Sequence, residues 1–219
     1  MAATELTPAP TRHVRAPGGA AGALLAAYTA LWLSTLGAAA LVLLSGPGAS
    51  ETVRRALGLT LTPADNPPPT LGHVLGLAAH NLPVAAWPLL LGLSGAARSR
   101  RARRATDALV LACAAANTIP VGAAIGAYGA HLLPYIPQLP LEWAALASGY
   151  GSWLLQRQRA LDTRRRLAWL GLTSVLVLLA AAVETAAVPQ RRGTPSSRPA
   201  DVQRSDELRA PPRTRVPHM

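Results

Sequence analysis

Five polar side chains, His80, Asn81, Asn117, Glu142 and Glu184, stand inside or at the ends of long apolar runs. Ionisable groups in such runs mark ion or proton pathways and partner contacts when the runs cross a membrane. His80 and Asn81 fall about ten residues into one run and Asn117 about ten into the next, which places all three near mid-depth of a bilayer. His73 and His80, seven residues apart, share one helix face. Glu142 stands in the first turn of a later segment and Glu184 near the end of the last, so both approach the same outer boundary and are expected to pair across two helices. Such a pair would organise those helices and contact a partner or a cation. The same residues also have purely structural roles open to them: Glu142 complements a helix dipole, the two asparagines hydrogen-bond between helices, and His80 serves as a satisfied core imidazole.

The elements that must carry these residues follow from the charge map. No formal charge occurs from Ala16 to Ser50, Asn66 to Ala97, Ala108 to Leu141 or Leu167 to Val183. A membrane span needs roughly 20 mostly apolar residues, and lipid tolerates no unpaired backbone groups, so these runs are helices. Half of the residues are hydrophobic and 14% are charged, against about a quarter charged in a soluble domain. The expected fold is an all-α polytopic helical bundle, with spans near 21–46, 71–97, 107–130, 139–156 and 167–188. The fourth span, loosened by Gly149 and Gly151, either crosses or re-enters. Gly122 and Gly126 have the spacing that lets two helices approach closely. Pro134, Pro137 and Pro140 force a bend. Residues Glu51 to Leu61 are expected to form a short interfacial helix before Pro63 and the run Pro67 to Pro69. Residues 1–20 and the Pro- and Arg-rich stretch 190–219 read as disordered tails around one transmembrane domain, 21–189.

The net charge is +11 and every basic side chain is arginine. Arg98, Arg100, Arg101, Arg103 and Arg104, and then Arg164, Arg165 and Arg166, sit in short connections beside spans. There they act as topology signals and lipid-headgroup partners rather than as a nucleic-acid surface. Both loops and the N-terminus are therefore expected on the cytoplasmic side, with Trp153 and Trp169 as an interfacial belt. The Arg-rich C-terminal tail then lies outside, against the same rule, with Asp201, Asp206 and Glu207 diluting it. The lone Cys113 lies in an apolar run and excludes a disulfide scaffold.

Four motifs in order suggest a relationship. Asn81 to Gly92 (NLPVAAWPLLLG), Asn117 to Gly122 (NTIPVG), Pro137 to Glu142 (PQLPLE) and Val183 to Pro189 (VETAAVP) together resemble the stage II sporulation protein M family of bacterial membrane proteins. The chain departs from that family's pattern at His80, Thr118, Gln138, Leu139 and Val188. The loss of the family's His-Gly before Glu142 removes its most distinctive polar group. The resemblance implies a helical protein of the bacterial plasma membrane without catalytic chemistry, acting as a scaffold or export and maturation accessory. Its partners would be membrane proteins or further copies of itself.

Two other classes compete. The sequence Gly92-Leu93-Ser94-Gly95 matches the G-x-S-G of rhomboid proteases, but Ser94 stands four residues before Arg98 and His131 lies across a full span, which denies the serine a base about 3 Å away. A transporter or channel component is the stronger alternative, because spans broken around Pro120 and Pro134 to Pro140 near Glu142 and Glu184 suggest interrupted helices that hold ions. No zinc-protease motif, phosphate loop or metal-ligand cluster occurs, and no cofactor is implied. The charge pattern makes one expectation directly measurable. Single cysteines at positions 101 and 165, with Cys113 replaced, should resist impermeant reagents in intact cells, and labelling of either would overturn the orientation.

Overall fold

A computed structural model of the chain describes residues 19–59, 70–91, 99–158 and 161–187. Six α-helices follow one another: α1 Gly19–Leu44, α2 Pro47–Leu57, α3 Leu71–Leu91, α4 Arg100–Tyr128, α5 Leu139–Arg157 and α6 Thr163–Ala187, with a 3₁₀ segment, Gly129–Tyr135, between α4 and α5. No strand occurs among the described residues, and the fold is an all-α bundle. The two tails, Pro63, the run Pro67 to Pro69, the Gly92 to Gly95 motif, Arg98 and Pro189 lie outside the described residues.

Local chemistry sets the helix ends. The Ser99 side chain accepts from the Ala102 amide and caps α4, so that helix starts at Arg100, a turn or more before the expected start at Asp107. Asp162 accepts the Arg165 amide at 2.8 Å and starts α6 four residues before Leu167. Both caps supply one of the acceptors that a helix N-terminus lacks. Pro140 stands in the first turn of α5, where its missing N–H costs nothing. The expected break around Pro120 does not occur, because α4 continues through it. The bend near Pro134 to Pro140 does interrupt the helical path between α4 and α5. The short interfacial helix is present as α2, shifted to Pro47–Leu57. Arg54 docks it: its Nε and Nη2 donate to the Ala127 carbonyl at 2.9 and 2.6 Å, and its guanidinium lies over the Tyr128 ring. A cation at the last carbonyls of α4 favours both that helix dipole and the seating of α2.

The helix packing is centred on α5. Twelve of its 19 residues are buried, against four of 26 in α1 and five of 25 in α6, so α5 is the most enclosed helix: α1, α3 and α6 pack directly against it, and α4 packs mainly against α1. Contacts at both ends show that it runs the length of the bundle. Near its start, Glu142 interacts electrostatically with Glu184 at the end of α6. Near its finish, Trp153 and Arg157 reach Asp107 at the start of α4, and Gln156 donates to the Leu89 carbonyl at the end of α3. At a rise of 1.5 Å per residue α5 is about 28 Å long, close to the hydrocarbon thickness, so it does not turn back as a re-entrant segment would. Among the described residues, α1, α3, α4 with its 3₁₀ extension, and α6 are long and apolar enough to cross a membrane by themselves. α5 is not among them, since it carries Glu142, Ser148, Tyr150, Ser152, Gln156 and Arg157.

These contacts, with Ala23 and Leu24 of α1 and Trp169 of α6 packed beside Leu89 and Leu155, place the start of α1, the end of α3, the start of α4, the end of α5 and the start of α6 at one end of the bundle. The two described arginine clusters therefore share that end with the N-terminal entry to α1. Trp153 and Trp169, expected as an interfacial belt, are instead buried, at 3% and 8% exposure. Trp153 is held by its hydrogen bond to Asp107, and Trp169 packs with Leu89, Leu155 and Leu161.

Close approach of backbones makes this packing possible. A Cβ on Gly149 would collide with the Ala85 carbonyl of α3, one on Gly122 with the Thr35 carbonyl of α1, and one on Gly126 with Ala39 of the same helix. Gly76, on α3, faces open space. Replacing Gly149 by Ala should therefore destabilise the bundle by about 3 kcal/mol. Replacing Gly76 by Ala should be neutral or stabilising by up to about 1 kcal/mol through helix propensity. Thermal unfolding of the two purified variants in one detergent checks this, and equal melting temperatures would contradict the packing.

Candidate functional site

The polar residues that stand out in the sequence lie far apart in the chain, and the fold brings three of them together. Asn81 of α3, Asn117 of α4 and Glu142 of α5 line one cavity, walled by Val84 and Ala85 of α3, Trp143, Ala145 and Leu146 of α5, and Val177 and Ala180 of α6. Its volume is about 120 Å³. A water needs about 10 to 15 Å³ of such space, so the cavity has room for several waters or a small cation with part of its shell. It is well below the roughly 300 to 1,000 Å³ that drug-sized ligands occupy.

Each polar group arrives by a distinct local route. Asn117 donates its side-chain N–H to the Cys113 carbonyl one turn earlier, at 2.7 Å, leaving its carbonyl oxygen as an acceptor. Glu142 enters from the first turn of α5. Pro88 lies inside α3 and lacks the N–H that would close the helical turn on the Val84 carbonyl, in the turn that forms the cavity wall. Trp143 is fixed from outside the cavity, since its indole N–H donates to Thr35 Oγ1 at 3.0 Å and Thr35 donates in turn to the Leu31 carbonyl at 2.9 Å. The site is therefore rich in oxygen acceptors and carries a carboxylate, which suits a cation or a donor-bearing partner.

Glu184 does not line the cavity, but it acts on Glu142 electrostatically. Both carboxylates are half-buried. His80 goes elsewhere. At the middle of α3 it is exposed on the outside of the bundle, on the same face as exposed His73, so it is not the core imidazole that its position allowed. The chain matches no protein-family model, no curated protein and no solved structure.

Arg100, Arg101, Arg104, Arg164 and Arg165 are exposed at the arginine end of the bundle, Arg103 and Arg166 are half-buried there, and Gly122 and Gly126 face α1. Sequence reasoning passed over the cluster that closes that end. Arg157 Nη2 lies 3.0 Å from Asp107 Oδ2, and the Trp153 indole donates to Asp107 Oδ1 at 3.2 Å. The available signal was Asp107 itself, the only acidic residue between Asn66 and Leu141. Among the described residues, no three His, Cys, Asp or Glu side chains gather as a metal centre would need.

Glu184 acts electrostatically on Glu142 from the adjoining helix, so the two should respond as a unit. A cysteine pair at 142 and 184 should cross-link in membranes. Gln at both positions should change stability by a sum that departs from the single effects by about 1 kcal/mol. Absence of cross-linking together with strict additivity would make the two carboxylates independent helix-end residues.

Proposed function

We propose that this chain is a non-catalytic, multi-pass scaffold or export and maturation accessory of a bacterial plasma membrane, of the kind the stage II sporulation protein M family contains. The observation that carries this reading is convergence. Motif residues separated by as much as 103 positions, from Asn81 to Glu184, meet at one intramembrane site: Asn81, Asn117 and Glu142 line the cavity, and Glu184 acts on Glu142 from the adjoining helix. A cavity lined by residues of three motifs, with the fourth motif coupled to it electrostatically, fixes the mutual arrangement of the helices, which is what a scaffold needs.

His80 supports the partner-binding part. An imidazole at mid-span that faces outward is costly against hydrocarbon and is ordinarily covered by protein. The exposed His73 and His80 face of α3 is thus the surface on which a membrane partner, or a second copy of the chain, would sit.

The transporter or channel reading is favoured by one observation of its own, the acceptor-lined cavity with a carboxylate at its edge. The two readings part in one pair of experiments. A photo-cross-linking residue at position 80 should capture protein in native membranes if the chain is a scaffold, and capture of lipid alone would overturn that reading. Proteoliposomes of the pure protein should show no proton or sodium flux. A flux abolished by Glu142→Gln would establish transport instead.

A further inference from the structure

A second cavity, unrelated to the Asn81, Asn117 and Glu142 site, opens between α1 and α4 near the arginine end, with a volume of about 460 Å³. Its walls are small or apolar: Ala27 and Ala30 on α1, Ala114 and Ala115 on α4. Its floor is α5, where the Tyr150 ring lies under the groove and its hydroxyl is buried without a hydrogen-bond partner. Asp107 and Arg157 line its arginine-side end. Asp107 is already matched there by Arg157 and the Trp153 indole, so it does not set the sign of the local charge.

Two features identify what fits. The lining residues of α4 recur at 107, 110, 111, 114, 115 and 118, one helical stripe. Continued back by three, four and seven residues from Asp107, the stripe reaches Arg104, Arg103 and Arg100 in the first turns of α4. Arg100 and Arg104 are exposed. Cations at a helix N-terminus oppose its dipole, whereas an anion set beside Arg100 and Arg104 is favoured both by their guanidinium groups and by that dipole. From residue 107 to 118 the groove is about 16 Å long, which is the depth of one leaflet of a hydrocarbon core about 30 Å thick.

We infer that this groove is a binding site for one anionic phospholipid of the arginine-side leaflet, with an acyl chain lying between α1 and α4 and the phosphate held by Arg100 and Arg104. The groove accepts the chain because alanines line it, and the stripe of α4 delivers the headgroup to the guanidinium groups. Neutral phosphatidylcholine offers the same chains without net charge and is bound more weakly.

The test uses the full chain purified in detergent and titrated with palmitoyl-oleoyl phosphatidylglycerol or the phosphatidylcholine of identical chains, read by native mass spectrometry and by melting temperature. Phosphatidylglycerol should be retained and should raise the melting temperature by several degrees, with phosphatidylcholine doing neither. The double variant Ala30→Leu with Ala115→Leu fills the groove with side chains suited to lipid, and should keep its lipid-free melting temperature while losing retention. Arg100→Gln with Arg104→Gln, both at exposed positions, should keep the fold and cut the preference for phosphatidylglycerol about 30-fold, at roughly 1 kcal/mol per arginine near a headgroup. Equal binding of the two lipids, undiminished retention in the filled variant, or a dimer that the filled variant breaks apart would each overturn the proposal.

Discussion

The structure depends on keeping a polar helix at the centre of a bundle that lies in lipid. α5 has neither the composition to face hydrocarbon nor the length to avoid it, and the remaining helices solve this by enclosing it. Four helices receive a polar contact from α5: α1 through Trp143 and Thr35, α3 through Gln156 and the Leu89 carbonyl, α4 through Trp153 and Arg157 on Asp107, and α6 through Ser148 and Thr173 at 2.6 Å. In a bilayer apolar burial gives helices little reason to associate, since lipid tails are as apolar as leucine. Packing and interhelical hydrogen bonds must supply it. Five contacts of this kind, spread along α5, define its rotation and its height.

Glycine supplies the other half of that association. Gly149 against α3, and Gly122 and Gly126 against α1, bring backbones close enough for dispersion to act along whole helices. The α1 and α4 pair adds a hydrogen bond at the same level, Ser34 to Thr118 at 2.7 Å, just above Gly122. Where the two helices separate, toward the arginine end, alanines replace glycines and a groove opens. Tight and open regions of one interface thus follow from the residue type at successive turns.

The same centre ties the two cavities together. Trp143 walls the Asn81, Asn117 and Glu142 site while bonding α1, and Tyr150, two turns further along α5, lies under the groove. Both cavities therefore share one rigid element, and neither rests on a loop. Arg54, seated on the end of α4, closes the opposite side of the bundle with an amphipathic helix that lies at the membrane boundary.

Much of this was legible in the residues alone, because hydropathy and charge act locally. Apolar runs of bilayer length require helices, arginine clusters mark their ends, and Pro134 to Pro140 require a bend. The polar residues inside those runs could be named for the same reason, since each stands out against its own neighbours. What they touch could not be, because side-chain neighbours are set by helix rotation, which the tertiary packing decides. Asn81 and His80 are adjacent in sequence, yet a rotation of about 100° puts one at the cavity and leaves the other exposed. Trp153 and Trp169 have the flanks of an interfacial belt and are buried. Pro120 has the chemistry to break a helix, yet α4 continues through it, since a helix loses one bond at proline and neighbouring helices hold its course. α5 reads as the weakest span because its low hydropathy is a local quantity. Its enclosed place is set by α1, α3 and α6, which pack directly on it and supply the apolar surface that its own sequence lacks.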